Sequence, residues 1–173
     1  MLLYNVVLIG PMGTGKSTIG KLLSKKFKCK FYDIDNEVEQ FCGCKLYEVF
    51  LLEGENSFRK REHNILKEVA KKNGVVISTG GGSIMNSKTI PLLKKKGIII
   101  YLYTSIYNQI KRLDNTNDRP LLKSNKFKKA IYNIFKKREQ IYYYISDIII
   151  NTEIKIDLII KEIKKRIVFI ENH

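Results

Sequence analysis

An apolar run, Val6-Val7-Leu8-Ile9, leads straight into Gly10-Pro11-Met12-Gly13-Thr14-Gly15-Lys16-Ser17, and residues 16–26 then follow helical spacing. This is the full pattern of a glycine-rich phosphate-binding loop (P-loop), set where such a loop must be, after a buried strand and at the start of a helix. Its glycines permit a tight turn whose N–H groups point inward at a β-phosphate. Lys16 is expected to bridge the β- and γ-phosphates, and the Ser17 hydroxyl to be a Mg2+ ligand. The nucleotide contacts are therefore expected from Gly13, Thr14, Gly15, Lys16, Ser17 and Thr18, with ATP or GTP and Mg2+ as the implied ligands.

The rest of the chain repeats the same alternation. Residues 6–9, 30–32, 75–78, 98–101 and 147–150 are short runs rich in β-branched side chains, separated by stretches of helical period. That order predicts an α/β fold, a five-stranded parallel sheet with helices on both faces. Residues 36–41 are expected to form a helix capped by Asn36, with Glu39 three residues on. Residues 58–72 place Phe58, Ile65, Leu66 and Val69 on one side, and the stripe Ile156, Ile159, Ile160, Ile163 and Ile167 marks a last helix against the sheet. A length of 173 residues fits one domain, 1–173, without linker or repeat.

No apolar run approaches the roughly 18 residues of a membrane-spanning helix. Nor does a charged leader precede the first strand. The three cysteines, Cys29, Cys42 and Cys44, suggest neither a disulfide framework nor a zinc site, so a reducing cytoplasm is expected. Cys42-Gly43-Cys44 is read as an ordinary turn. The formal net charge of +15 comes from 32 basic and 17 acidic residues, and only six of the basic ones are Arg. Arg has the forked geometry that suits carboxylates and phosphates, so Arg59, Arg61, Arg112, Arg119, Arg138 and Arg166 carry more information than the dispersed lysines.

Beyond the P-loop, four stretches carry chemistry. Tyr32-Asp33-Ile34-Asp35 closes the second strand, and strand alternation would turn both carboxylates toward the crevice at the carboxyl edge of the sheet. One would sit near Mg2+ and the other near an acceptor hydroxyl. In Gly54-Glu55-Asn56-Ser57-Phe58-Arg59-Lys60-Arg61-Glu62, Arg59 and Glu62 share a helical face. Thr79-Gly80-Gly81-Gly82 lets backbone amides approach a ligand closely. Asn115-Thr116-Asn117-Asp118-Arg119-Pro120 has the polar character of a lid.

A P-loop, Asp-x-Asp, Gly-Glu-x-x-Phe-Arg-x-x-Glu, Gly-Gly-Gly and Arg-Pro-Leu-Leu in this order resemble the shikimate kinase family, one branch of the nucleoside-monophosphate-kinase-like P-loop proteins. The resemblance runs from Val6 to about Ile167. It implies substrate-binding helices at about 34–62, a lid at about 113–126, and direct in-line transfer from ATP to the 3-hydroxyl of shikimate. Asp33, with Ser17, would lie beside Mg2+. Asp35 would bind the shikimate hydroxyls and act as base; Lys16 and Arg119 complete the expected catalytic set. Arg59 and Arg138 would hold the shikimate carboxylate, with Glu62 orienting Arg59. Gly80, Gly81 and Gly82 would offer amides, and Phe50 and Phe58 an apolar wall. Arg119 would reach the γ-phosphate and Arg112 would stack on adenine.

Two departures accompany the match. Arg138-Glu139-Gln140-Ile141-Tyr142 lacks the proline of the family's Arg-x-Pro-x-Tyr, and Asn151-Thr152-Glu153-Ile154 lacks the usual Arg and Pro of the adenine loop. The expected partners are shikimate and ATP, with no nucleic acid and no membrane, and a monomer is the expected state. Two alternatives stay open at this point: another small-molecule kinase, such as a gluconate kinase, or a nucleic-acid-binding NTPase that uses the basic balance.

Overall fold

The computed structural model describes residues 2–114 and 125–172. Its five strands are β1 (Asn5–Ile9), β2 (Phe31–Asp33), β3 (Val76–Ser78), β4 (Gly97–Tyr103) and β5 (Ile148–Asn151). They form one all-parallel sheet in the order β2-β3-β1-β4-β5. Among the described residues the helices are α1 (Lys16–Phe27), α2 (Ile34–Cys42), α3 (Leu46–Ala70), α4 (Thr89–Lys94), α5 (Ile106–Asp114), α6 (Asn125–Ile145) and α7 (Ile156–Glu171), with a short 3-10 turn at Ser83–Met85.

The apolar runs read as strands because both faces of the sheet are covered, and alternate residues of each strand enter different cores. Val6, Leu8, Ile98, Ile100 and Leu102 pack with Ile19 and Leu23 of α1 and with Ile159, Ile163 and Ile167 of α7. Val7, Ile9, Ile99 and Tyr101 face the other way, against Val38 of α2, Phe58 and Leu66 of α3, Leu93 of α4 and Tyr142 of α6. The expected sheet and both helical layers are present.

Two local expectations are corrected. The second strand ends at Asp33, and the chain turns directly into α2 at Ile34, so Asp35 stands in the first turn of a helix and not on a strand. Asp33, not Asn36, occupies the N-cap position; Asn36 lies inside the helix. β2 is an edge strand, paired with β3 along its three residues. Carboxylates in the first helical turn also complement the positive end of the helix.

The α2–α3 corner is the expected turn, with Gly43 at φ 69 closing α2. Glu39 fastens it, accepting from Leu46 N–H at 3.1 Å and from Lys45 Nζ at 3.0 Å. Helix α3 then kinks at Gly54, whose φ of 75 and ψ of 173 leave helical geometry and favour glycine. Arg61 reaches back over the kink to Glu53, Nη2 to Oε1 at 2.6 Å and Nε to Oε2 at 2.8 Å.

Candidate active site

The sheet order puts β1 between β3 and β4, so the loops leaving β1, β2 and β3 open at one carboxyl edge. The P-loop leaves β1, Asp33 and Asp35 follow β2, and Gly80-Gly81-Gly82 follow β3.

Lys16 opens α1 and folds its ammonium over the loop, donating to the carbonyls of Gly10 at 2.8 Å and Pro11 at 2.9 Å. Burial pulls its pKa down to about 8, while Asp35 and then Asp33 oppose that fall. Thr14 is fully buried and donates to the Pro11 carbonyl at 3.0 Å, so its side chain braces the loop and leaves its backbone to face a ligand. Ser17 and Thr18 lie exposed on the first turn of α1. The Ser17 hydroxyl donates to Asp33 Oδ2, joining the two expected metal ligands.

Asp35 is pushed up to about 6. Burial is the largest cause, followed by Asp33 (raising), Lys16 (lowering), Glu62 (raising) and Arg59 (lowering). These charges come from α1, β2 and α3, so the carboxyl group marks where three parts of the chain converge.

Helix α3 supplies the other end of the site. Arg59 donates through Nη1 to Glu62 Oε2 at 2.7 Å, and through Nη2 to Glu55 Oε1 at 3.2 Å. Glu62 is buried and also accepts from Ser83 Oγ at 2.6 Å, so it holds the guanidinium from a fixed place. The Arg59 guanidinium lies 4.9 Å from the centroid of Phe58, and Phe58 meets Phe50 at a ring separation of 4.4 Å. Phe58 is buried and Phe50 exposed.

Two of the three glycines meet charged side chains at close approach. A Cβ on Gly80 would collide with Glu62 Oε1 and lie 2.8 Å from Asp35 Oδ1. One on Gly82 would collide with Arg59 Nη2 and lie 2.7 Å from its Cζ. At Gly81 a side chain would meet the P-loop backbone at ordinary contact distance, 3.6 Å from Gly10 O and Met12 N, and its carbonyl accepts from Arg138 Nη1 at 3.1 Å and from the Tyr142 hydroxyl at 2.5 Å.

Arg112, on α5, spans two loops. Its Nη1 donates to Gly13 O at 3.2 Å and to Thr152 Oγ1 at 3.0 Å, and its Nη2 donates to Thr152 O. Glu153 beside it accepts Ser105 N–H at 2.6 Å at the start of α5 and is held down at about 2 by its hydrogen bonds to Ser105 and Asn108.

Pairwise contacts and charge coupling thus link Lys16, Ser17, Asp33, Asp35, Phe50, Phe58, Arg59, Arg138 and the three glycines near the carboxyl edge of the sheet, and Arg112 ties the P-loop to the segment after β5. Arg119 and most of the expected lid lie outside the described residues. Sequence reasoning passed over Ser83, and it gave no contact to Tyr142, Thr152 or Glu153, which it met only in the two departures from the family pattern. The spacing of Arg138 and Tyr142, four apart on one helical face, was a usable signal for Tyr142.

A P-loop set against two carboxylates at the edge of a parallel sheet, with cations across a glycine turn, defines a phosphoryl-transferring kinase. The family model described as shikimate kinase matches residues 12–168. The shikimate kinase of Hahella chejuensis is 43% identical over 151 residues, 87% of this chain and 79% of that protein. The solved shikimate kinase from Acinetobacter baumannii, in complex with shikimate, is 34% identical with a TM-score of 0.88, over 96% of this chain and 93% of that one. The chain belongs to the shikimate kinase family.

A gluconokinase from Sinorhizobium meliloti covers 99% of this chain and 97% of its own at a TM-score of 0.62, but at 13% identity it shares the fold alone. Shikimate kinases use ATP and generally a divalent metal ion. Among the described residues no group of three or more His, Cys, Asp or Glu forms an all-protein metal cage, and no helix is long and apolar enough to cross a membrane.

Proposed function

We propose that the residues of this crevice divide the work of the family's reaction, ATP-dependent phosphorylation of the 3-hydroxyl of shikimate to 3-phosphoshikimate and ADP, a step of aromatic amino-acid (chorismate) biosynthesis. The observation that carries this division is the position of Asp35, whose carboxyl crowds Gly80 together with Glu62, the partner of Arg59, and is also coupled to the charge of Lys16. A base between the phosphoryl-donor end and the carboxylate end of a crevice is what direct transfer to a hydroxy acid requires.

In this reading Arg59 and Arg138 grip the shikimate carboxylate, Phe50 and Phe58 cover the ring, and Gly80, Gly81 and Gly82 bring backbone close to it. Asp35 takes the 3-hydroxyl proton as the oxygen attacks the γ-phosphorus in line, ADP leaves, and no phosphoenzyme forms. Lys16 moves from the loop carbonyls to the β- and γ-phosphate oxygens. Gly13, Thr14, Gly15, Ser17 and Thr18 line the phosphates, while Arg112 closes the adenine side.

The ion is proposed to be Mg2+. Ser17 Oγ and the Asp33 carboxylate are adjacent hard oxygen donors on the open side of the crevice, a set that suits a cation keeping several waters and bound mainly by phosphate oxygens. Such an ion would neutralise charge on the β- and γ-phosphates. Helices spanning about 34–62 serve as the substrate-binding part and residues about 113–126 as the lid, with Arg119 reaching the γ-phosphate. A cytoplasmic monomer is the accompanying reading.

Coupled ADP release tests it. Turnover should require shikimate, fail with gluconate, stop on chelation and return with Mg2+. The variant Lys16→Ala should lose about a hundredfold or more in kcat. A folded protein with no shikimate-dependent turnover would sink the proposal.

A further inference from the structure

Tyr142 is fully buried on the inner face of α6, with its ring stacked on Tyr101 at a centroid separation of 5.0 Å and an interplanar angle of 17°. Its hydroxyl crosses 61 residues of sequence to donate to the Gly81 carbonyl. Arg138, one helical turn earlier, donates to the same oxygen. A carbonyl oxygen has two lone pairs, so both donors fit, and the backbone at Gly81 becomes a shared anchor.

Helix α6 runs unbroken from Asn125 to Ile145, and Gln140 stands where the family often has proline. A kink therefore does not aim Arg138 in this chain. Its guanidinium donates to the Gly81 carbonyl and also bonds the Tyr142 phenol directly, and that carbonyl is held in turn by Tyr142. Because a peptide unit is planar, fixing the Gly81 C=O also fixes the Gly82 N–H on the opposite side of the same plane. One phenol thus sets the direction of both a cation and an amide.

We infer that Tyr142 is a positioning residue for shikimate, acting through the Gly81 carbonyl to aim Arg138 and the Gly82 amide. This deepens the proposed function and rests on Arg138 holding the substrate carboxylate. Burial pushes the phenol up to about 12, against the lowering effect of Arg138, so it remains a donor throughout the working pH range.

The test is Tyr142→Phe, which keeps the ring stack and deletes the donor, measured by shikimate calorimetry and by steady-state kinetics. Loss of a hydrogen bond that orients a charged group predicts about a tenfold rise in shikimate Kd and KM. The KM for ATP and the melting temperature should change little. In an Arg138→Ala background the same substitution should add at most a small part of that loss.

Unchanged shikimate affinity in Tyr142→Phe, or a full tenfold loss persisting without Arg138, overturns the inference. Failure of Arg138→Ala itself to weaken shikimate overturns instead the carboxylate reading beneath it. A measurement on the unmodified protein stands beside these: the Tyr142 hydroxyl proton should give a slowly exchanging NMR signal with and without shikimate. Its disappearance on shikimate binding would mean that the anchor is absent from the loaded site.

Discussion

Asp35 carries opposite consequences for activity and stability. Its carboxyl is held near 6 instead of 3.8, by burial first and by Asp33 second. Between about pH 4 and 6 the folded state therefore binds more protons than the unfolded chain, and stability falls as pH rises through that window. With Asp35 as the proposed base, activity should run the other way, since only the carboxylate can accept the hydroxyl proton. Lys16, lowered to about 8, loses its charge on the alkaline side. In kcat/KM, which reports the free enzyme, a bell with limbs near 6 and 8 is expected. Asp35→Asn should remove the acid limb and lower kcat by about a hundred- to ten-thousandfold, with a melting temperature at pH 7.5 no lower than wild type. A marked loss of stability would show that the carboxylate is structural.

At the scale of elements, the break in α3 decides where the apolar wall stands. Phe50 lies before Gly54 and Phe58 after it, and the two rings meet only because the helix changes direction between them. The bidentate pair of Arg61 with Glu53 spans this break. Both partners are about a third exposed, so solvent screens the pair and its effect should be on geometry more than on stability. Arg61→Glu should raise the shikimate KM about three- to fivefold, and adding Glu53→Arg should restore it. Equal kinetics in the single variant and wild type would remove the pair from the mechanism. The kink was partly legible, since Gly54 interrupts a helical pattern; the strap was not, because an Arg eight residues from a Glu is unremarkable until the kink brings them together.

Across the whole molecule, the charge of +15 divides into two populations. Arg59, Arg112 and Arg138 turn inward to the crevice, whereas lysines such as Lys21, Lys25, Lys26, Lys161, Lys164 and Lys165 are exposed on α1 and α7. Both cores share one sheet, and at its centre Tyr101 buries a hydroxyl that has no hydrogen-bond partner among the described residues. Removing an unsatisfied buried hydroxyl relieves its desolvation, so Tyr101→Phe should leave stability unchanged or raise it by about 1 kcal/mol in urea unfolding, and a clear loss would reveal a partner. Residue order alone determined the strands and helices, the P-loop and most of the site's residue types, because hydrophobic period, glycine placement and the Lys-Ser pair are local signals. Tertiary structure decided that Asp35 stands on a helix, that Gly82 lies directly against the Arg59 guanidinium, and that Tyr142 and Arg138 meet on one carbonyl. Those contacts join residues 57 and 61 positions apart in α6 and the glycine turn. They depend on which strands lie side by side and how the connecting helices cross them, which no local pattern in the chain encodes.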